Sequence, residues 1–263
     1  MGKSLIEAAN NDYEVVASYF GNYDIADTAR VRYSKLDLRD KEGHSKLFSE
    51  FRPQVVIHTA GIGSPDYAEK NKEETWSINV VGAQNIIKCC EELNSKLIYI
   101  SSNGIYDGDN APYGEDDEAK PVNYYGQIKL EGEINTIKSK VTHAIVRPML
   151  MYGWNNKFER NNIITFALEK LKRGESVNIY ENVFCNPISA EFCAEAIWRI
   201  IQKNIYDVFN IGGKDTLSLY QFVRTAAEIF GLGAGLVKPV QQDFFRDLVK
   251  RPKNTSYKIK VYR

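Results

Sequence analysis

Two kinds of apolar spacing alternate along the chain. Short β-branched or apolar runs bounded by turn residues occur at 13–19 (YEVVASY), 53–61 (PQVVIHTAG), 95–102 (SKLIYISS), 142–150 (THAIVRPML), 176–180 (SVNIY) and 206–213 (YDVFNIGG). Each predicts a buried strand. Between them lie segments at 2–11, 43–51, 73–93, 123–140, 162–175, 189–204 and 218–231 whose apolar residues recur with helical period. Ser218 followed by Gln221 is a capping box that marks the start of the last one. Strands alternating with helices predict an α/β fold with right-handed crossovers, a doubly wound parallel sheet of Rossmann type. In such a sheet ligands bind beyond the C-terminal strand ends, so those ends are where chemistry is sought.

The rhythm breaks at 151–163 (MYGWNNKFERNNI) and again after Gly231. This divides the chain into a sheet-forming part, residues 1–150 with 186–213, and a small C-terminal lobe, residues 151–185 with 214–263. A chain of 263 residues is long enough for one sizeable core with such a lobe attached.

Composition removes several function classes. With 43% apolar residues, 26% charged residues and no formal net charge, the chain reads as an ordinary globular protein. It offers no basic excess for a nucleic-acid backbone. Its longest apolar runs fall well short of the roughly 18 residues expected of a membrane span, and no secretory leader is read before the first charged helix. Cys89, Cys90, Cys185 and Cys193 show no metal-binding spacing. They are expected to be free packing thiols in a reducing, cytoplasmic setting, and no metal site is expected.

Within the helix predicted over 123–140, Tyr125 and Lys129 stand four residues apart, which puts them on one face. A nearby cation favours the phenolate and brings a phenol closer to useful acid/base behaviour. Spacing alone does not decide this. With 16 Tyr and 34 Lys and Arg in the chain, chance gives about two such pairs, and there are two, the other being Tyr220 and Arg224. On spacing alone, a solvated helix face is the better explanation of the pair.

The strand ends supply context. Ser101 and Ser102 follow KLIYI and would emerge at a sheet edge, where a hydroxyl can donate to a substrate carbonyl or merely satisfy nearby backbone. HTAG at 58–61 ends the preceding strand with small residues that admit a close backbone approach. Asp37 lies in KLDLRD, where an adenine ring could be received, and Pro148 fixes the exit of the strand ending RPMLMYG.

In this order, VVIHTAG, SINVVGAQNI, YISSNGIYDGDNAPYGEDDEAKPVNYYGQIKLEGE, IVRPMLMYG, FNIGG and RPKNTS resemble the extended short-chain dehydrogenase/reductase family (the NAD-dependent epimerase/dehydratase superfamily), in its sugar-nucleotide reductase branch, typified by dTDP-4-dehydrorhamnose reductases. The stretch from Ser101 to Glu133 carries the most specific part. The resemblance implies an NAD(P)-dependent reductase of a nucleotide-linked 4-keto sugar, with the cofactor on the sheet-forming part and the sugar nucleotide under the lobe. Ser102, Tyr125 and Lys129 would be catalytic: Ser102 binds the reacting oxygen, Tyr125 protonates it, and Lys129 holds the cofactor ribose and depresses the tyrosine pKa. Asp37 and Leu38 would flank the adenine, Ala60 and Gly61 line the cofactor, and Pro148 support its nicotinamide end. Asn103, Asn186 and Arg251 would contact the substrate. A role in dTDP-rhamnose and polysaccharide biosynthesis, and room for a homodimer, follow from the same resemblance.

The sequence also departs from that family, whose members open with a strand and a G-x-x-G-x-x-G turn. Only Gly2 matches, as the last of those glycines, so the first strand and phosphate-binding turn are expected to be missing. The strand at 13–19 ends in Ser18, Tyr19 and Phe20 with no carboxylate for a ribose 2′-hydroxyl, which leans towards NADP or dual use. Asn103 stands where reductases of the branch often have Asp. Two alternatives stay open: a sugar-nucleotide epimerase or dehydratase on the same scaffold, and a non-catalytic regulatory or binding relative.

Overall fold

The computed structural model describes residues 1–21, 25–155 and 161–259. Four parallel strands form its central sheet, in the order β10 (Val208–Ile211), β5 (His143–Pro148), β4 (Lys96–Ile100), β3 (Val55–His58). Beside it β1 (Val15–Tyr19) and β2 (Val31–Lys35) make a separate parallel pair, with Val15 opposite Val31. The β-branched composition predicts these runs, and the strand bounds fall inside the predicted segments. Of these six strands β2 is the one that periodicity misses: VRYSK carries two basic residues and alternates too weakly to read as buried.

Side chains of β4 show why the sheet is covered on both sides. Leu97 packs into a cluster with Phe48 of α2 (Lys41–Phe51) and Ile86, Ile87 and Cys90 of α5 (Gly82–Leu93). Ile98 and Ile100 point the other way, into a larger core with Leu5 of α1 (Gly2–Glu7) and Cys193, Ala194 and Ile197 of α8 (Ala190–Lys203). A parallel sheet buried by crossover helices on both faces is the Rossmann-like arrangement. The Trp198 indole fastens α8 to α1 by donating to Leu5 O at 2.8 Å.

The segment predicted as one helix over 73–93 is divided. Two short helices, α3 (Pro65–Lys70) and α4 (Lys72–Trp76), lead into a π-helical turn at Ser77–Val81 before α5. The turn lets the Asn79 side chain face inward: its Oδ1 accepts from Ile62 N at 2.7 Å and its Nδ2 donates to Ile62 O at 3.0 Å. α6 (Tyr124–Lys138) follows as predicted.

A second core gathers α7 (Ile163–Lys172), β7 (Val177–Tyr180), α9 (Leu219–Ile229) and β12 (Val237–Val240), around Leu168, Leu171, Ile179, Val223 and Val237. The predicted capping box at Ser218 and Gln221 is present, and Asn162 with Thr165 makes another at α7. The chain after Gly231 contributes β12, which pairs in parallel with β7. Two-residue pairings of β6 (Met151–Tyr152) with β9 (Ile188–Ser189) and of β8 (Phe184–Cys185) with β11 (Leu217–Ser218) join the rest. Residues 156–160 of the loop at 151–163, and 260–263 of the lobe, lie outside the described residues. All four cysteines are buried and free, in keeping with packing thiols. No helix among the described residues is long and apolar enough to cross a membrane.

Candidate active site

The predicted catalytic residues gather beyond the C-terminal end of β4. Ser102 is buried directly after that strand; its Oγ accepts from Gly104 N at 3.0 Å and lies 3.4 Å from Asn103 Oδ1. Tyr125 comes from the first turn of α6. A Cβ built on Gly104 would lie 3.4 Å from both Ser102 Oγ and the Tyr125 ring, so the two side chains flank that bare backbone position. The bland alternative of an exposed Tyr/Lys helix face is excluded for Lys129, which is 9% exposed.

Lys129 points under the sheet edge. Its Nζ donates to Ile100 O at 3.0 Å and sits 5.7 Å over the Tyr99 ring. Burial pushes its pKa down to about 8, a shift that the nearby Glu133 carboxylate opposes. Glu133, almost fully buried one turn further along α6, is paired with Arg147 of β5: Nε and Nη2 reach its two oxygens at 3.0 and 2.7 Å. Arg147 Nη1 also donates to Tyr106 Oη at 2.8 Å. His58, at the end of β3, is held neutral by burial, with its pKa near 3.

The start of α6 is fixed from several directions. Asn123 caps it, accepting from Gly126 N at 3.0 Å, while its Nδ2 donates to Lys250 O at 3.0 Å. Glu69 of α3 accepts from Tyr124 N at 3.1 Å. Gly126 lies so close to the Ser102 loop that a Cβ there would come within 2.2 Å of Gly104 O. Sequence reasoning missed Glu69, Asn123, Glu133 and Arg147. Asn123 was legible as an N-cap, whereas the others act across the fold and leave no local signal.

The predicted cofactor residues fall into two groups. Gly2, Ala60 and Gly61 are near one another: Gly2 lies beside Thr59, and Ala60 and Gly61 are exposed just after β3. Gly61 has φ +144, which favours glycine, and a Cβ there would press on Asn79 Oδ1 at 3.0 Å. Gly63 faces open space. Gly2, Gly61 and Gly63 thus leave bare backbone positions here, which suits close approach of a pyrophosphate. Asp37 and Leu38 stand after β2. Asp37 is engaged by Arg39, whose hydrogen bonds hold its carboxyl below the usual range; Leu38 is clamped from behind, its carbonyl accepting from Asn85 Nδ2 at 2.9 Å. Pro148 is the buried last residue of β5, opposite Ile211.

The three predicted substrate residues differ in placement. Asn103 adjoins Ser102 and donates to Thr255 Oγ1 at 2.7 Å. Asn186 is fully buried and spends both polar ends internally, donating to Gly213 O at 3.0 Å and accepting from Tyr257 N at 3.1 Å. Arg251 is paired with Asp66 at 2.5 Å.

A Rossmann-like sheet with Ser, Tyr and Lys gathered at one strand end defines an α/β protein of the extended short-chain dehydrogenase/reductase class. The chain belongs to the RmlD substrate binding domain family, which matches residues 1–262. It is similar to the methionine adenosyltransferase 2 subunit beta of Rattus norvegicus, 28% identical over 232 residues, covering 86% of this chain and 69% of that protein. It is also similar to the dTDP-4-dehydrorhamnose reductase of Aggregatibacter actinomycetemcomitans, 24% identical over 269 residues, covering 97% and 86%. Among solved structures, the dTDP-4-dehydrorhamnose reductase of Bacillus anthracis, determined with NADP, superposes with a TM-score of 0.86 at 24% identity, covering 98% of this chain and 86% of that one.

Proposed function

We propose that the protein is an NAD(P)-dependent reductase of a nucleotide-linked 4-keto sugar. The observation that carries this reading is that Ser102 Oγ and the Tyr125 ring flank the same bare position at Gly104, with Lys129 buried one turn below. Its similarity to a curated dTDP-4-dehydrorhamnose reductase supports the substrate class, and the NADP bound to the Bacillus anthracis relative supports the cofactor class.

NAD(P)H, when bound, supplies the hydride. The bare backbone positions at Gly2, Gly61 and Gly63 would accept its pyrophosphate, and the lack of a carboxylate at the end of β1 favours NADP. Ser102 then donates a hydrogen bond to the substrate carbonyl oxygen, which polarises the carbonyl and orients it towards Tyr125. As the carbonyl carbon gains the hydride, the Tyr125 hydroxyl passes its proton to the oxygen, giving an alcohol and leaving a phenolate. Lys129, still largely protonated at neutral pH with a pKa near 8, stabilises that phenolate until solvent returns the proton.

The test is oxidation of NADPH and NADH in the presence of dTDP-4-dehydrorhamnose. Turnover is expected in the wild type. Tyr125→Phe is expected to lower kcat at least a hundredfold while cofactor affinity and melting temperature stay near wild type. Cofactor binding without turnover of any keto sugar rejects the reading.

A second reading, a non-catalytic subunit, is supported by the several similar proteins named as subunit beta of methionine adenosyltransferase 2. It requires a stable complex with a methionine adenosyltransferase catalytic subunit. Size-exclusion chromatography of the mixed proteins tests it, and separate elution rejects it.

A further inference from the structure

The segment 249–255 runs along the edge of the candidate site and is held there at several consecutive points. Asp66, in the first turn of α3, uses both carboxylate oxygens on it: Oδ1 accepts from Val249 N at 2.9 Å and Oδ2 from Arg251 Nη2 at 2.5 Å. The residue between them, Lys250, gives its carbonyl to Asn123, the cap of the helix that carries Tyr125. Further on, Pro252 and Lys253 lie so close to Gly108 that a Cβ there would come within 2.8 and 2.6 Å of them. Thr255 then receives the Asn103 amide beside Ser102. The strap thus touches the site on both sides, next to Ser102 and next to Tyr125.

Of the strap's three cations, Lys250, Arg251 and Lys253, Arg251 is the one paired with Asp66. Asp66 engages one end of its guanidinium, while Nη1 is shut off from solvent and has no hydrogen-bond partner among the described residues. With Nη2 anchored on Asp66, Nη1 is the donor left for an oxyanion such as a diphosphate, which must displace what covers this buried atom to reach it. A lone counter-ion for Arg251 would need only one carboxylate oxygen. Asp66 also holds the backbone of Val249, so it fixes the path of the strap as well as neutralising a charge.

Building on the reductase reading, we propose that Asp66 is a positioning residue for substrate: by clasping residues 249–251 to α3, it holds the strap against the catalytic helix and presents Arg251 to the diphosphate of the sugar nucleotide. Glu69, one helical turn along at Tyr124 N, ties the same short helix to α6. α3 thereby sets the spacing between the anion-binding arm and Tyr125. Tyr180 flanks the clasp, with Arg251 and Asp66 both acting on it electrostatically.

The experiment measures binding of dTDP and of NADPH by calorimetry for wild type, Asp66→Ala, Asp66→Asn and Arg251→Ala, with hydrogen exchange at the Val249 amide. Arg251→Ala and Asp66→Ala are expected to weaken dTDP at least tenfold and to leave the NADPH affinity within twofold. Asp66→Asn, which keeps an acceptor for Val249, is expected to fall between Asp66→Ala and wild type. Exchange at Val249 should quicken at least tenfold in Asp66→Ala. Unchanged dTDP affinity in Asp66→Ala, with or without faster exchange, overturns the proposal, as does tighter dTDP binding, which would make Asp66 a competitor for Arg251. Equal loss of dTDP and NADPH would show a general structural role and also overturn it. A wild type that binds neither ligand instead rejects the reductase reading on which the proposal rests.

Discussion

Lys129 Nζ donates to the main-chain carbonyl of Ile100, the last residue of β4, at 3.0 Å, so the buried cation of α6 is tethered two residues before Ser102. This contact links the helix to the strand end and fixes where the charge lies relative to Tyr125. The burial that comes with this position makes the charge expensive. Burial favours neutral lysine and brings the pKa down from 10.5 to about 8.

A pH signature follows. Below pH 8 Lys129 is charged in both folded and unfolded chains, and the folded state bears the full penalty. Between pH 8 and 10.5 the unfolded chain binds more protons than the folded one, so rising pH stabilises the fold. Lys129→Met removes the effect. The stability difference between wild type and Lys129→Met is expected to move in favour of wild type by on the order of 2–3 kcal/mol across that window. Urea unfolding of both proteins from pH 7.5 to 10.5 measures it, and a constant difference would refute it.

The Glu133–Arg147 pair lies below this contact and is buried on both sides, with side chains 1% and 8% exposed. Removing one partner strands the other charge. Glu133→Leu is therefore expected to cost about 3–5 kcal/mol, and the double variant Glu133→Leu with Arg147→Met less than that single one, because no uncompensated charge remains. Chemical denaturation of the three proteins checks the order.

Much of this arrangement was legible in the sequence, and the remainder shows where one-dimensional patterns stop. β-branched runs located β3, β4, β5 and β10 because buried parallel strands are apolar on both faces. Ser102, Tyr125 and Lys129 were legible through motif order, since a strand end and a helix start are local features. β2 was not, because VRYSK, with Val31 its one buried residue, lacks an apolar period. The π-helical turn at Ser77–Val81 was hidden inside an uninterrupted helical pattern; what it serves, the Asn79 contacts to Ile62, lies outside the helix. The pairings of Asp66 with Arg251 and of Glu133 with Arg147 join distant parts of the chain and have no periodicity to reveal them.

Asn123 has two separable tasks, capping α6 and holding Lys250 O. Asn123→Ala loses both and is expected to destabilise the protein by about 1–2 kcal/mol. Asn123→Ser keeps a capping oxygen and is expected to recover most of that stability while leaving the strap contact broken. Thermal unfolding reads the first effect, and faster exchange or proteolysis around residue 250 in both variants reads the second. Equal instability of the two variants would show that the strap contact, not the cap, dominates.

Gly104 and Gly126 make the last comparison, because they face each other across the loop that follows Ser102 and differ in the room they leave. At Gly126 a Cβ would come within 2.2 Å of the Gly104 carbonyl and 2.8 Å of Pro121 Cβ, so backbone must shift. Gly126→Ala is expected to cost about 2–3 kcal/mol, at the upper end of overpacking penalties. At Gly104 the added methyl would meet Ser102 Oγ and the Tyr125 ring at 3.4 Å, an ordinary contact, so the fold should tolerate it to within about 1 kcal/mol. That methyl would nonetheless occupy the space between Ser102 and Tyr125, the two residues proposed to handle the carbonyl oxygen. Gly104→Ala should therefore separate stability from chemistry: a melting temperature near wild type, with keto-sugar reduction lowered at least tenfold. If Gly104→Ala reduces the substrate at the wild-type rate, the space above Gly104 is not where the carbonyl is held, and the reacting oxygen must lie elsewhere along the β4 edge.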